Sequence, residues 1–254
     1  MCTVLLAWRV WPGADLLVAA NRDERLDRLA APPAASRAGD VPIFCPRDLE
    51  AGGTWIGVNA RGVVVALTNR FGTPADRTRR SRGELVLLAL GAASADEAAG
   101  LLQALDPGDF NGFHCLVADR EAAAVVRPDG PRMRRDALGA GQVHVVTERS
   151  FGAAPSRRVA WLEAQAARLA AGPEPSTEAL AALLGTHAEA MEPGSHPIDG
   201  VCVHLDGLGY GTRSAEILRI ATPRAASQWH HVAGTPCTVP PASLGQPMRE
   251  ALKW

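Results

Sequence analysis

The feature that most constrains this chain is the order in which two hydrophobic patterns follow one another. Apolar runs read as strands at Thr3–Trp11 and Leu16–Asn21, divided by the turn sequence Pro12-Gly13-Ala14-Asp15. A second pair follows at Thr54–Val58 and Val63–Asn69, divided by Asn59-Ala60-Arg61-Gly62. Capping-box sequences then open two helices, Ser81-Arg82-Gly83-Glu84 before Leu85–Leu90 and Ser94-Ala95-Asp96-Glu97 before Leu101, Leu102 and Leu105. Strands return at Phe113–Asp119, Ala122–Arg127, Arg132–Arg135 and Gln142–Thr147. Helices return at Ser156–Ala171 and Thr177–Leu184, and strands again at Gly200–His204, Tyr210–Ile220 and Ser227–Val232. Strands and helices come in blocks, which argues against a parallel βαβ series. The pattern predicts an α+β chain with two antiparallel sheets and helices on the outside. The Pro- and Ala-rich stretch Ala30–Val41 reads as a surface loop, and the tail from Pro236 as irregular.

Composition narrows the class of partner. The chain has 254 residues, 47% of them hydrophobic, enough for a sizeable core, and no shift in composition marks a linker, so one domain over 1–254 is expected. Lys and Arg total 26 against 27 for Asp and Glu, a net charge of −1. A nucleic-acid binder relying on counterion release carries a basic excess, so a small molecule is the expected partner. The longest apolar stretch, Leu85–Ala93, is far short of the roughly 20 residues of a membrane-spanning helix. The N-terminus has neither a basic leader nor an A-x-A-like site, which predicts a cytoplasmic chain.

Nucleophile elbows, Walker A loops and H-E-x-x-H helices are absent from the sequence. The five cysteines, Cys2, Cys45, Cys115, Cys202 and Cys237, form no C-x-x-C pair, and the seven histidines show no zinc-type spacing. Cys202-x-His204 and His114-Cys115 are close enough in sequence to meet a metal, but the expectation is no metal and no cofactor. Cys2 is different because of its position. Removal of Met1 would place its thiol beside a free α-amine, whose pKa of about 7.7–8.0 suits a proton acceptor, so one residue would supply nucleophile and base. The first hairpin returns Asn21-Arg22-Asp23-Glu24 towards Cys2, so Asp23 can orient the amine; these residues read equally as a charged turn. Asn69, closing its strand, can offer an amide to an oxyanion or simply end the strand in a turn.

Six segments carry a family resemblance: Met1-Cys2-Thr3, Asn21-Arg22-Asp23-Glu24, Gly52-Gly53-Thr54-Trp55-Ile56-Gly57, Leu67-Thr68-Asn69, Ser81-Arg82-Gly83 and Tyr210-Gly211-Thr212-Arg213-Ser214. In this order they resemble the NRDE, or transport and Golgi organisation, family, over residues 2 to about 220. That family is similar to the N-terminal-nucleophile (Ntn) hydrolases, which implies a four-layer αββα sandwich. More distantly the chain resembles the bile-salt hydrolase and penicillin V acylase group. That likeness implies Cys2 as nucleophile, Asn21 and Asp23 as the group's Asn-x-Asp and Asn69 as oxyanion donor; Asn21, Arg22 and Arg213 are the candidate substrate contacts, Arg22, Glu24 and Arg213 reading equally as solvated charges.

Two departures stand out. Ala20 occupies the position of the group's supporting Arg, which leaves Arg22 or Arg213 to replace it, and Glu148 in Val146-Thr147-Glu148 stands where a second catalytic Asn is expected, which implies either a changed catalytic role for Glu148 or weak amidase activity. The resemblance implies an amidohydrolase acting on a C–N or thioester bond. The alternative it leaves open is a non-catalytic carrier of haem or acyl lipid, linked to haem trafficking, with Cys2, Met133 or a histidine as axial ligand.

Overall fold

The computed structural model describes residues 2–72 and 75–254. The chain forms two compact units, each with one antiparallel sheet. The first takes the chain up to Arg28 together with Gly141–Gly245, and the second takes Leu29–Ala140 and Gln246–Trp254.

The first unit holds β1 (Cys2–Trp8), β2 (Ala14–Arg25), β10 (Gln142–Thr147), β11 (His204–Leu205), β12 (Tyr210–Ala221), β13 (Gln228–Val232) and β14 (Ala242–Ser243). Its sheet runs β10-β1-β2-β12-β13-β14, with β11 beside β12. The helices α3 (Arg157–Ala171), α4 (Thr177–Leu184) and the short α5 (Ala188–Met191) belong to the same unit. Alternate strand residues Leu5, Ala7, Leu17, Ala19 and Ile217 form a core with Leu162 of α3 and Leu180 and Leu184 of α4. The intervening Val4, Leu6, Leu16 and Val18 are buried as well, which is why these strands read as unbroken apolar runs.

The second unit is a seven-strand meander: β3 (Ala30–Ala38), β4 (Val41–Asp48), β5 (Ile56–Asn59), β6 (Val64–Asn69), β7 (Phe113–Ala118), β8 (Ala123–Asp129) and β9 (Arg132–Ala137). The helices α1 (Gly83–Leu90) and α2 (Ala95–Gln103) lie between β6 and β7 in sequence. Leu85, Val86, Ala89 and Leu90 of α1 and Ala98 and Leu102 of α2 share a core with Val65, Leu67, Val117 and Val126.

Ser94 and Ser176 cap α2 and α4 by accepting from the N–H groups of Glu97 and Ala179, as the sequence predicts; Ser156, read as the first helical residue, caps α3 through the Val159 N–H, and the expected Ser81 capping box gives way to Arg82 at the start of α1, with no side-chain cap. Two expectations are corrected and one open alternative is settled. Ala30–Val41 is largely strand rather than loop. It forms the outer edge of its sheet, where Pro32 and Pro33 fall in the irregularity between Ala31 and Ala34 and so remove no ladder hydrogen bond. Of the two readings open for Asn21-Arg22-Asp23-Glu24, strand end and charged turn, the strand holds: the segment is part of β2, kept extended by pairing with β12 as far as Arg25 opposite Tyr210. The tail is irregular only at first: it ends in α6 (Gly245–Leu252), whose Met248 and Leu252 are buried at i,i+4 spacing. Among the described residues no helix is long and apolar enough to cross a membrane.

Candidate active site

Strand register assembles the site at one end of the first sheet. Cys2 opposes Arg22 across β1 and β2, and Thr3 opposes Thr147 across β1 and β10, which brings Glu148 level with Cys2. On the far side of β2, Thr212 opposes Asp23 and Ser214 opposes Arg22. Arg213 is the extra residue between them, a β-bulge, which leaves it out of the ladder and sharpens the local twist. Four adjacent strands thus deliver Glu148, Cys2, Asp23 and Thr212 to one place.

Asp23 is the hub. It is buried, next in β2 to Arg22, which opposes Cys2. Thr212 Oγ1 donates to its Oδ1 at 2.6 Å, and Tyr210 Oη donates to its main-chain carbonyl at 3.0 Å. Arg158, only 1% exposed, approaches from α3 with Nη1 3.9 Å from Asp23 Oδ2. Its Nη2 donates to both oxygens of buried Glu148, at 2.5 Å to Oε1, and its Nη1 donates to the Gly200 carbonyl at 3.3 Å. One guanidinium therefore lies between two buried carboxylates.

The electrostatics follow from this burial. Cys2 as a residue is half-buried, and burial of its thiol pushes the pKa up; the Asp23 carboxylate adds to the rise, while the Asp23 N–H and Arg22 oppose it. Burial likewise raises Asp23, against the pull of Arg158 and the Thr212 hydroxyl. Burial and then the Asp23 charge raise the Tyr210 hydroxyl.

The remaining sequence candidates have distinct placements. Both Asn21 amide protons are committed to the fold, donated at 2.9 Å to the carbonyls of Leu184 and Val201. Arg22 is buried, with Nη2 3.9 Å from the Glu24 carboxylate. Arg213 is half-buried on its bulge. Asn69 lies in the second unit, half-buried at the end of β6 opposite Phe113. Met133 is part of the second unit's core. His114 bonds Thr68 and Arg70, each at 3.2 Å, and its neighbour Cys115 is a core residue whose pKa burial pushes up to about 12. Sequence reasoning missed Arg158. The signal was there: α3 buries Arg158, Leu162 and Ala166 at i, i+4 and i+8, a charged residue on the apolar stripe.

Comparison with known proteins bears on the fold and the family. Solved structures with a similar fold include a variant of the conjugated bile acid hydrolase of Clostridium perfringens (TM-score 0.55, 12% identity, 96% of this chain and 93% of that one). The N-acylethanolamine-hydrolyzing acid amidase ortholog of Caenorhabditis elegans is also similar (TM-score 0.54, 12% identity, 85% of this chain and 92% of that one). So is penicillin V acylase from Agrobacterium tumefaciens (TM-score 0.50, 14% identity, 91% and 83%). At such identities the likeness shows the fold, that of Ntn amidohydrolases.

In sequence, the Transport and Golgi organization protein 2 homologs of Bos taurus and Homo sapiens are each 36% identical over 116 and 112 residues. These matches span 42% of this chain and 40% of the length of those relatives. The profile of the family described as "Transport and Golgi organisation 2" matches residues 1–228, from Cys2 past the Arg213 bulge, and the chain belongs to that family.

Proposed function

We propose that the chain is a cysteine amidohydrolase of the Ntn type, cleaving an amide or thioester bond of a small apolar molecule with Cys2 as nucleophile. The observation that carries this reading is the strand register at Cys2, which opposes Arg22 and so sits beside Asp23, whose carboxylate accepts from Thr212 Oγ1 at 2.6 Å. The similar structures named above include an amidase and an acylase, which supports the same class of bond.

Loss of Met1 frees the Cys2 α-amine, which takes the thiol proton as the sulfur attacks the carbonyl carbon. Asp23 orients the resulting ammonium, and Arg158, held by Glu148, positions Asp23. The family resemblance assigns the tetrahedral oxyanion to the Asn69 amide and a main-chain N–H, a kind of contact worth about 3–4 kcal/mol. Collapse breaks the C–N or C–S bond, and the ammonium returns its proton to the leaving group. Water, deprotonated by the same amine, then attacks the acyl-thioester, releasing the acid and restoring the thiol.

The test is turnover of a panel of fluorogenic N-acyl amides and acyl thioesters by the Met1-processed protein. The reading expects turnover of at least one acyl class, abolished by Cys2→Ala and reduced by about two orders of magnitude or more in Asn69→Ala. Equal turnover by Cys2→Ala contradicts it.

A further inference from the structure

Away from the Cys2 site, three distant segments of the first unit converge. Their four ligand atoms, from His187, Cys202, His204 and Cys237, all lie within 4.8 Å of one another. Cys202 Sγ is 3.6 Å from Cys237 Sγ and 3.5 Å from His204 Nε2, and His204 Nε2 is 3.2 Å from Cys237 Sγ. The His187 and His204 rings are 5.0 Å apart, tilted at 60°. We propose that these four side chains form a closed tetrahedral site for a zinc-class divalent cation.

The spacing is that of a coordination shell. Zinc–sulfur bonds of about 2.3 Å and zinc–nitrogen bonds of about 2.0–2.1 Å give tetrahedral edges of roughly 3.8 Å between sulfurs and 3.6 Å between sulfur and nitrogen. The three measured edges fall within a few tenths of an ångström of those values. The two sulfurs are also too far apart for a disulfide, which needs about 2.05 Å. A set of two thiolates and two imidazoles suits zinc over calcium or magnesium, which take oxygen ligands.

The fold holds the ligands before any ion arrives. Val201 and Cys202 both donate their main-chain N–H to the Thr186 carbonyl, at 3.0 and 2.9 Å, which fixes Cys202 beside His187. His204 is pinned in β11 opposite Gly211 of β12. Cys237 arrives against Gly185, where an added Cβ would lie 3.1 Å from both Cys237 N and Cα, so the close approach depends on glycine. His187 is exposed, and with Cys237 it lines an open cleft of about 940 Å³, a route in for the ion.

Binding exchanges two S–H bonds for two S–metal bonds and releases two protons to solvent. Four protein ligands leave no open position, so the site is structural rather than hydrolytic. What it would steady is identifiable. Val203, between two ligands, donates its N–H to Thr212 Oγ1 at 2.9 Å and accepts from Thr212 N at 2.9 Å, and the same hydroxyl donates to Asp23.

The test uses the full chain purified under reductant. Metal analysis should find about one zinc per chain. Replacement by Co²⁺ should give the visible bands of tetrahedral cobalt together with a near-ultraviolet thiolate charge-transfer band. Cys237→Ser should weaken the charge-transfer band and lower zinc affinity at least a hundredfold or so. His187→Ala, at an exposed position that threatens the fold little, should lower affinity about tenfold or more. Cys2→Ala should bind zinc as wild type does, which separates this site from the proposed nucleophile. The proposal is overturned if folded wild-type protein binds Zn²⁺ no tighter than the His187→Ala/Cys237→Ser variant, or if Cys202 and Cys237 are disulfide-linked in protein kept under reductant.

Discussion

Arg158 shows what one buried charge can organise. Its guanidinium hydrogen-bonds Glu148 and faces Asp23, so truncating it strips both buried carboxylates of this cation and leaves Glu148 only the looser pairing with Arg149 Nε at 3.7 Å. Arg158→Ala should therefore cost about 3–5 kcal/mol of stability, read as a lower urea midpoint. A loss below about 1 kcal/mol would show that the pair is not the closed, buried arrangement described. Glu148, which stands where the resemblance implies an Asn, thus has a job an amide could not fill as a full counter-charge.

Cys2 gives a second prediction. Burial raises its pKa above the ordinary thiol value, so at neutral pH it is a thiol and the thiolate fraction grows as pH rises. Alkylation of Cys2 by iodoacetamide should accelerate roughly tenfold per pH unit from about pH 7 through pH 9. A plateau already at pH 7 would mean a depressed pKa and the opposite balance of terms. Cys2 and Asp23 were legible in the sequence because a hairpin brings strand ends together. Arg158 was not, because its partners lie 10 and 135 residues away, counted as 158 − 148 and 158 − 23.

Two of the sequence motifs acquire a physical reason at the level of elements. Gly53 and Gly83, from separate motifs, meet where the chain enters α1: a Cβ on Gly53 would lie 2.6 Å from the Gly83 carbonyl carbon, and one on Gly83 would lie 3.0 Å from Gly53 Cα. Two backbones in such contact leave no room for a methyl group. Gly53→Ala should cost about 1–3 kcal/mol through forced backbone shifts, measured by chemical denaturation. An unchanged midpoint would mean that the approach is looser than drawn.

The same level shows what periodicity could and could not reveal. Serine caps and apolar stripes marked α2, α3 and α4 because both signals are local. Strand β3 escaped because its prolines argue against a strand unless it lies at an edge, and edge position is set by partners distant in sequence. Likewise Gly200–His204 reads as a strand but pairs only at His204–Leu205, the preceding residues being drawn to the Thr186 carbonyl instead.

At the scale of the whole molecule, the block order of strands and helices sufficed for the α+β class, and six short motifs in order sufficed for the family. The assignment of Val201–His204 and Cys237 to one neighbourhood was beyond reach of pattern, since it depends on loops meeting in space. Because Cys2 sits at a strand end rather than inside a core cluster, Cys2→Ala should keep the wild-type urea midpoint to within about 1 kcal/mol, so that loss of chemistry in this variant is not loss of fold. A larger loss would make the thiol part of the scaffold.

An N-terminal nucleophile at Cys2 requires a reactive thiol in a chain whose first residue is Cys2. Intact-mass and peptide mass spectrometry of purified protein treated with an acyl-electrophile probe tests it most directly. The expected result is a chain that lacks Met1 and carries one probe adduct, on Cys2, absent from Cys2→Ala. A chain that keeps Met1, and so has no free Cys2 amine to act as base, would contradict it.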